Sequence, residues 1–351
     1  MKFIHIADVH LGAVPDSNMS WGEERAKEIW TAFSEIIDIC NKEKVDLLLI
    51  AGDLFHRQPL MRELKEVNYL FGKLESSKVV IIAGNHDYLA PRSNYWGFQW
   101  SDNVHMIMGN QIEVVDLGDL NTQVWGLSYH SKEITEPLYD NLKPNHNGQI
   151  QILLGHGGDD RHIPFNRKKL LEAGFDYIAL GHIHNPEIMD KGMVTCGSLQ
   201  PLDRNEKGDR GYIMGEITEN RDIKIRFIPH AKRQYKSIVL TVNPNTTNIA
   251  LVDMAKEGIE KQGKNHIYQL IIEGFRHETI QFHKEDILRL GNILEVIDKS
   301  VPDYDFDELY RQNKDNIIGI FIQKIRDQRA QDEVTKKALY YGIEALLKAK
   351  D

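Results

Sequence analysis

Four short, mostly apolar segments in the first half of the chain each lead directly into polar residues. The segments are FIHIA at 3–7, LLLIA at 47–51, VVIIA at 79–83 and IQILL at 150–154, and each is followed by Asp or Gly with Asp, Asn or His close behind. Continuous apolar runs of this length are typical of strands that are buried on both faces. Because ligands collect beyond the carboxyl ends of such strands, these polar residues lie where a functional site is expected.

Helical patterns separate the strands, and this alternation indicates the fold class. Residues 23–42 carry apolar side chains at helical spacing. Alternating strands and amphipathic helices predict an α/β domain with layered sheets. We expect a four-layer α/β/β/α sandwich over residues 1–235, in which later β-like runs at 211–217 and 223–228 complete the second sheet.

A different pattern begins at residue 236. The strand SIVLTV, a helix over 248–262 and the strand IYQLIIEGF predict a small β-α-β capping domain over 236–300. Residues 301–351 begin with the acidic stretch VPDYDFDE, which is predicted to be a connector, and continue with apolar residues at three- and four-residue spacing. The chain is therefore expected to contain one large domain, a small cap and C-terminal helices.

Composition limits the classes of protein and the compartment. No run approaches the length of about 18 apolar residues that a membrane-spanning helix needs. Asp8 and His10 interrupt the N-terminal stretch where a signal peptide would need an apolar core. Cys40 and Cys196 provide no disulfide framework. We therefore expect a cytoplasmic protein that does not interact with a membrane.

The formal net charge of −9 argues against a protein that coats nucleic acid nonspecifically, because such binding draws on many Lys and Arg side chains. It does not exclude DNA as a substrate, since the local potential of a cleft matters more than the global sum. Residues 221–236 hold six Lys or Arg side chains against one acid, and a solvated strand face is favoured there over a strip that steers phosphates.

Five polar blocks occur in order, the first four directly after the predicted strands. They are Asp8-x-His10, Gly52-Asp53, Gly84-Asn85-His86-Asp87, Gly155-His156 and Gly181-His182-x-His184. Period-two spacing places both side chains of the first block, and both histidines of the last, on the same side of an extended backbone. Two carboxylates, one amide oxygen and four imidazoles suit Mn, Fe or Zn and disfavour Ca.

A single block of this kind is ordinarily a turn or a satisfied polar residue. Five such blocks in order are different, because burying so many imidazoles and carboxylates without a metal would cost several kcal/mol of folding free energy. The whole set therefore predicts a metal site at the strand ends.

The blocks resemble the signature of the calcineurin-like metallophosphoesterases, which is D-x-H, G-D, G-N-H-D/E, G-H and G-H-x-H, and no ligand type is substituted. Finer features resemble the nuclease branch of that family, the SbcD-type double-strand-break repair exonucleases and their YhaO-like relatives. Those features are HIADVHLG at 5–12, AGDLFHRQ at 51–58, GNHD at 84–87, GHIH at 181–184 and CGSLQPLDRNEKGDRGY at 196–212. The resemblance extends from residue 1 to about residue 217 and is weaker for the cap and the C-terminal helices.

The resemblance implies a role for each block. Asp8, His10 and His184 would bind one ion, Asn85, His156 and His182 would bind the other, and Asp53 would bridge the two. Two adjacent ions can activate a water and neutralise charge on a phosphoryl group. His86 would then be the general acid for the leaving oxygen or would stabilise the transition state. Asp87 either orients His86 or caps a turn.

His56, in the run DLFH, follows the predicted bridging carboxylate by three residues. In the nuclease branch a histidine at this place handles the DNA phosphate, and a surface histidine at a helix start is the alternative. Asn94, Tyr95 and Trp96 are further candidates, for stacking against bases, although core or rim packing is favoured for Trp96.

The resemblance thus implies a two-metal DNA phosphodiester hydrolase, an exonuclease or endonuclease of double-strand-break repair. Mn is the expected metal, with Fe, Zn or Mg as alternatives, and the implied partner is an SbcC-type ATPase that binds the C-terminal helices. Those helices could instead pack on their own domain, and a homodimer is left open. A phosphodiesterase for a small substrate such as a cyclic nucleotide needs the same metals, whereas an inactive scaffold is disfavoured by the intact ligand set.

Overall fold

The computed structural model describes residues 1–144, 148–189, 192–327 and 332–349, without the side chain of Glu333. The chain forms two compact units, Met1–Tyr235 and a second unit that begins at Lys236. The predicted end of the C-terminal segment, residue 351, lies outside the described residues. In the described ranges, no helix is both long enough and apolar enough to cross a membrane.

The first unit alternates strands and helices through most of its length. In chain order its elements are β1 (Lys2–Ile6), α1 (Gly22–Glu43), β2 (Leu47–Ala51), α2 (Met61–Phe71), β3 (Lys78–Ile82), β4 (Val104–Met106), β5 (Glu113–Leu117), a 3₁₀ turn (Gly118–Leu120), β6 (Thr122–Gly126), β7 (Ile150–His156), α3 (Arg167–Glu172), β8 (Tyr177–Gly181), β9 (Glu187–Ile188), β10 (Met193–Thr195), β11 (Gly211–Ile217) and β12 (Ile223–Pro229). The four strands and the helix predicted in the first half of the chain are all present, with bounds shifted by two residues at most.

Two six-stranded sheets are formed, in the orders β12-β11-β1-β2-β3-β4 and β5-β6-β7-β8-β10-β9. Strands β1 to β4 run parallel in the first sheet, and β6 to β8 run parallel in the second. Parallel neighbours end at the same edge of a sheet. The polar blocks that follow β1, β2 and β3 are therefore brought to one edge, as are those at the ends of β7 and β8.

The strands predicted at 211–217 and 223–228 exist, but the prediction that they complete the second sheet is wrong. β11 pairs antiparallel with β1 and β12 pairs antiparallel with β11, so both extend the first sheet. Gly215 lies opposite Phe3 in this register, and a β-carbon at Gly215 would collide with the Phe3 ring. The glycine leaves room for that ring, which is buried between the two sheets.

Alternate residues of the central strands face different layers. Leu48 and Ile50 of β2 pack with side chains of α1 and α2, whereas Leu47 and Leu49 pack with side chains of β7 and β8 from the second sheet. A further apolar cluster covers the outer face of the second sheet together with α3. The predicted four-layer α/β/β/α sandwich is therefore confirmed.

The second unit contains more elements than the β-α-β pattern predicted. They are β13 (Tyr235–Val242), α4 (Asn248–Gln262), β14 (Ile267–Arg276), α5 (Lys284–Leu288), β15 (Ile293–Asp298), β16 (Val301–Pro302), α6 (Phe306–Gln312), α7 (Ile317–Arg326) and α8 (Glu333–Lys348). The predicted β-α-β elements correspond to β13, α4 and β14, and the predicted C-terminal helices correspond to α7 and α8. Strands β15 and β16 both pair with β14 in parallel, so the stretch 301–308 starts as a strand and ends within a helix rather than forming a connector.

The three C-terminal helices pack around a small apolar cluster. Ile318 and Ile322 of α7 contact Ile343 of α8 in this cluster. Tyr340 of α8 also stacks near Phe275 of β14, with the ring centroids 6.3 Å apart. The helices therefore pack on their own unit, which is one of the two arrangements expected from the sequence.

Arg25 on α1 is fully buried, and its charge needs partners inside the protein. Its Nη1 donates to Oε2 of Glu28 at 2.7 Å, and its Nη2 donates to the carbonyl oxygen of Pro201. Glu28 also accepts a hydrogen bond from Nε of Arg233 at 2.6 Å. This network joins α1 to the segment that follows β10.

Replacement of Glu28 with glutamine should lower the free energy of unfolding by about 3 kcal/mol, because it removes a counter-charge from a buried guanidinium. Urea titration followed by circular dichroism measures the change. The exposed Glu23, on the same helix, provides the matched control: Glu23→Gln should change stability by less than about 0.5 kcal/mol. Equal losses in the two variants would contradict a structural role for the Arg25 network.

Candidate metal centre

The five polar blocks lie next to one another at the carboxyl ends of strands from both sheets. Asp8 follows β1, Asp53 follows β2 and Asn85 follows β3, while His156 ends β7 and His182 follows β8. Asp8, Asp53 and His156 are at most 2% exposed. The fold thus gathers into one site the residues that the sequence spreads from position 8 to position 184.

Asp8, His10 and His184 form a first group of possible ligands. Nε2 of His10 lies 3.2 Å from Nε2 of His184, which in turn lies 3.7 Å from Oδ1 of Asp8. Two ligands that each bind a tetrahedral ion at about 2.1 Å are about 3.4 Å apart. The spacing of these atoms therefore suits a shared cation.

Asn85, His156 and His182 form a second group. Oδ1 of Asn85 lies 2.9 Å from Nε2 of His156 and 3.1 Å from Nδ1 of His182. Oδ2 of Asp53 is 3.5 Å from Nε2 of His156 and 3.8 Å from Nε2 of His10, a member of the first group. A single oxygen of Asp53 therefore faces both groups, as a bridging ligand requires.

The hydrogen bonds of Asp8 provide a test of whether the residues fit a metal. Oδ2 of Asp8 accepts a hydrogen bond from the backbone N–H of His182 at 2.9 Å. Oδ1 is also buried, yet it has no hydrogen-bond partner among the described residues. A buried carboxylate oxygen without a partner is costly, and a bound cation would satisfy it. The donor set and this unpaired oxygen both fit a divalent metal.

Burial sets the charge states of three of the candidate ligands. It raises the pKa of Asp8 to about 6, lowers the pKa of His182 to about 4 and lowers the pKa of His10 well below its usual value. Both histidines are therefore neutral near pH 7. Neutral imidazole is the form that binds a metal ion.

His156 and His184 behave differently because they face carboxylates. Burial opposes their charged forms, but the nearby carboxylates together outweigh it, chiefly Asp53 for His156 and Glu206 with Asp8 for His184, so that the pKa of each is raised to about 9. The carboxylates thus attract positive charge to the place where a metal would supply it. Metal uptake would displace the protons that otherwise bind there.

Four candidate ligand residues hold the backbone in the left-handed region. The φ angles are 49° for Asp8, 53° for His10, 50° for Asp53 and 87° for His182. Side chains rarely adopt this region, and each such residue costs about 1–3 kcal/mol that the surrounding structure must offset. Four of the nine non-glycine residues with positive φ in the described ranges therefore belong to this site.

His86 and His56 lie beside the first group of ligands. Nδ1 of His86 donates to the carbonyl oxygen of His56 at 3.1 Å, so Nε2 is the ring nitrogen that this contact does not use. The two rings stack with centroids 5.2 Å apart. Nδ1 of His56 is also 3.3 Å from Nδ1 of His10. His56, expected on the path of the DNA phosphate, therefore contacts a candidate ligand as well.

Asp87 holds two turns together. Its buried carboxylate accepts hydrogen bonds from the backbone N–H groups of Gly84 at 2.8 Å and Phe55 at 3.2 Å, and from the Tyr95 hydroxyl at 2.9 Å. Burial raises the pKa of Asp87 to about 7. These contacts favour the turn-capping alternative over an orienting role toward His86.

The three candidates for base stacking differ in exposure. Tyr95 is 1% exposed and is engaged by Asp87, so it cannot stack against a base. Trp96 is 44% exposed, and its indole N–H donates to the carbonyl oxygen of Ala90 at 2.9 Å. The amide of Asn94 donates to the carbonyl oxygen of Pro59 at 2.9 Å.

Two carboxylates that were not predicted from the sequence hydrogen-bond to the imidazoles of candidate ligands. Oδ2 of Asp159 lies 2.7 Å from Nε2 of His182, and Oε1 of Glu206 lies 2.7 Å from Nδ1 of His184. Such partners orient a metal-binding imidazole and raise its basicity. Asp159 follows His156 of the G-H block by three residues, and Glu206 lies in the run NEKGDRGY. Both carboxylates are therefore in or near motifs that were identified in the sequence.

Some of the basic side chains in the stretch 221–236 form ion pairs with carboxylates. Arg233 lies 2.6 Å from a carboxylate oxygen of Glu24 and 2.6 Å from one of Glu28. Lys232 lies 2.7 Å from Glu35. These contacts agree with structural roles and leave fewer charges for a strip that steers phosphates.

Comparison with known proteins adds the family. A model of the family described as calcineurin-like phosphoesterase matches residues 1–186. The chain is 28% identical over 305 residues to the uncharacterized metallophosphoesterase YhaO of Bacillus subtilis (strain 168), a match that covers 80% of this chain and 73% of that protein.

Two archaeal proteins named DNA double-strand break repair protein Mre11 are also similar. The one from Methanocaldococcus jannaschii is 32% identical over 242 residues, with 63% of each chain covered. The one from Archaeoglobus fulgidus is 28% identical over 299 residues, with 75% of this chain and 64% of the relative covered. The chain therefore spans a little less than two thirds of the length of these two relatives.

The family match takes in more than half of the 351 residues. It also contains all five polar blocks, from Asp8 to His184, which meet in one site within the first unit. The chain belongs to the calcineurin-like phosphoesterases, hydrolases that cleave phosphate esters.

Proposed function

We propose that this protein is a two-metal DNA phosphodiester hydrolase, an exonuclease or endonuclease that acts in double-strand-break repair. The observation that carries the proposal is the pair of ligand groups joined by Asp53, with the imidazoles of His56 and His86 stacked beside them. A phosphodiester needs a charged centre for its phosphoryl oxygens and a proton donor for its leaving oxygen. The two ligand groups would hold the charged centre, and His86 would be the proton donor.

Bound metals would supply Lewis acidity and would lower the pKa of the attacking water. Asp8, His10 and His184 would hold one ion, Asn85, His156 and His182 the other, and Asp53 both. Glu206 and Asp159 keep two of the imidazoles oriented. Mn is the proposed metal, with Fe, Zn or Mg as alternatives that the mixed oxygen and nitrogen ligands also accommodate.

His86 is proposed as the group that delivers a proton to the leaving oxygen. Its backbone N–H donates to Oδ1 of Asp53 at 2.8 Å, which fixes the residue next to the proposed bridging ligand. Its Nδ1 is engaged by the carbonyl oxygen of His56. Nε2 is then the nitrogen that can face the substrate.

The proposal of DNA as the substrate is supported by the relatives named as double-strand break repair proteins. An SbcC-type ATPase is the proposed partner, and the C-terminal helices are its proposed binding site. Apolar side chains on α7 and α8 remain exposed there, with Ile317 at 67%, Ile320 at 53% and Tyr341 at 67%. A homodimer is compatible with the same surface. A reducing, cytoplasmic compartment is proposed because Cys40 and Cys196 are both free thiols.

The alternative function is hydrolysis of a small phosphodiester such as a cyclic nucleotide, because the same metals would serve it. Labelled single- and double-stranded DNA, a cyclic nucleotide and an aryl phosphodiester, each incubated with Mn, separate the two functions. Cleavage of DNA supports the proposal. Turnover of the small esters without any cleavage of DNA would favour the alternative.

Replacement of Asp53 with asparagine should remove at least one metal ion, because two cations would face each other without the shared negative charge. Elemental analysis of the purified variant measures this, and activity should fall with it. Asp38→Asn, which makes the same change on the exposed face of α1, should retain both ions. Two tightly held ions and full activity in the Asp53 variant would refute the bridging role.

Replacement of His86 with glutamine should leave both ions in place while kcat falls by about 100- to 10,000-fold, the range expected for loss of a general acid or base. Metal content and steady-state kinetics check the two parts. His105→Gln, on β4, is the control and should change neither. Loss of metal from the His86 variant would show instead that His86 is a ligand.

Replacement of His56 with alanine should affect DNA more than a small ester, because seating a strand for in-line attack demands more contacts than positioning a minimal substrate. We expect the rate on DNA to fall at least tenfold more than the rate on an aryl phosphodiester, a difference of about 1.4 kcal/mol or more. Both rates are measured at saturating metal, since His56 contacts His10. Equal losses on both substrates would place His56 in the chemistry common to them.

A further inference from the structure

A cleft of about 490 Å³ opens beside the candidate metal centre. One wall is formed by the loops that follow β2 and β3, which carry His56 and His86. A second wall is formed by Lys132, Glu133 and Arg161, none of which is a candidate metal ligand.

The second wall consists of two paired segments. The backbone N–H of Ile134 donates to the carbonyl oxygen of Arg161 at 2.9 Å, and the N–H of Ile163 donates to the carbonyl oxygen of Ile134 at 2.7 Å. Ile163 is fully buried and holds φ at 39°, in the left-handed region. The backbone that presents Lys132 and Arg161 to the cleft is therefore anchored in the core.

Asp159 connects this wall to the metal centre. One of its oxygens lies 2.7 Å from Nε2 of His182, and the other accepts a hydrogen bond from the backbone N–H of Arg161 at 2.8 Å. The carboxylate therefore spans from a candidate metal ligand to the cleft wall. This contact fixes the wall relative to the candidate ligand His182.

The positively charged side chains that line the cleft differ in whether they are paired with a carboxylate. Arg57 makes two hydrogen bonds to Glu63, and Arg161 pairs with Glu133. Lys132 is exposed, and in the described parts of the chain it has neither a hydrogen bond nor an ion pair. An unpaired ammonium beside a site that acts on phosphate esters is available for an anion.

We propose that Lys132, with Arg161 next to it, binds a phosphate of the nucleic-acid strand other than the one being cleaved. The inference rests on the proposed function, because only a polynucleotide offers a second phosphate. A neighbouring phosphate held on this wall sets the register of the strand, and the scissile phosphate then lies over the metals. A minimal aryl phosphodiester has no second phosphate for Lys132 to bind.

The test compares Lys132→Ala with Lys168→Ala, which removes an exposed lysine of α3 that does not line the cleft. The substrates are a labelled single-stranded oligonucleotide and an aryl phosphodiester, each with Mn over a range of salt concentrations. We expect KM for the oligonucleotide to rise about tenfold at low salt in the Lys132 variant. The salt dependence of kcat/KM should become shallower by about 0.7 logarithmic units per tenfold change in salt, the value for one lost phosphate contact on a single strand. Hydrolysis of the aryl ester should stay within about twofold.

A second variant, Arg161→Gln, should produce a smaller change in the same direction, because Glu133 already engages that side chain. Lys132→Ala and Lys168→Ala variants that cleave the oligonucleotide alike, with the same salt slope, would overturn the inference while leaving the proposed function in place. Equal losses on the oligonucleotide and the aryl ester in the Lys132 variant would overturn it too. Wild-type protein that hydrolyses the aryl ester but never the oligonucleotide would overturn the proposed function itself.

Discussion

The negative charge of two buried carboxylates is the constraint on which the rest of the first unit depends. Asp8 and Asp53 lie in the interior at strand ends, where an uncompensated negative charge would cost several kcal/mol. Imidazoles from both sheets surround them, and His156 and His184 gain proton affinity as a result. The left-handed turns at the carboxylates aim these side chains inward, and the packed sheets offset the strain. Sheet packing, backbone strain and the arrangement of the candidate ligands are therefore all tied to these two buried negative charges.

Much of the first unit could be predicted because its signals are local. An apolar run followed by a polar block identifies a strand and the residues at its end within a few positions, so strands β1, β2, β3 and β7 and the five candidate ligands at their ends were predicted. His182 and His184 were predicted from the G-H-x-H block. The partners of β11 could not be predicted, since pairing with β1 depends on space for the Phe3 ring opposite Gly215. That complementarity joins residues more than two hundred positions apart and leaves no periodic signal.

The missed parts of the site and of the second unit have related causes. Asp159 and Glu206 support ligands without binding metal themselves in our proposal, and an isolated carboxylate in a polar loop has no distinctive pattern. Strand β15, ILEVID, contains acidic as well as apolar residues, so it does not show the continuous apolar run by which the other strands were predicted. The alternative roles of Asp87 could be separated only by its hydrogen bonds to Gly84 and Phe55.

The position of β1 within its sheet has a consequence for folding during synthesis. β1 leaves the ribosome before the other strands of its sheet, yet one of its two neighbours, β11, ends at Ile217. One edge of β1 therefore stays open while roughly two hundred further residues are made, and Glu206, which supports His184, emerges only near the end of that interval. A nascent chain that ends at residue 186 would contain every candidate ligand and still lack both the strand that closes the sheet and the carboxylate that orients the last imidazole. The candidate metal centre and its supporting carboxylate would thus be complete only late, when the strand that closes the sheet has also been made.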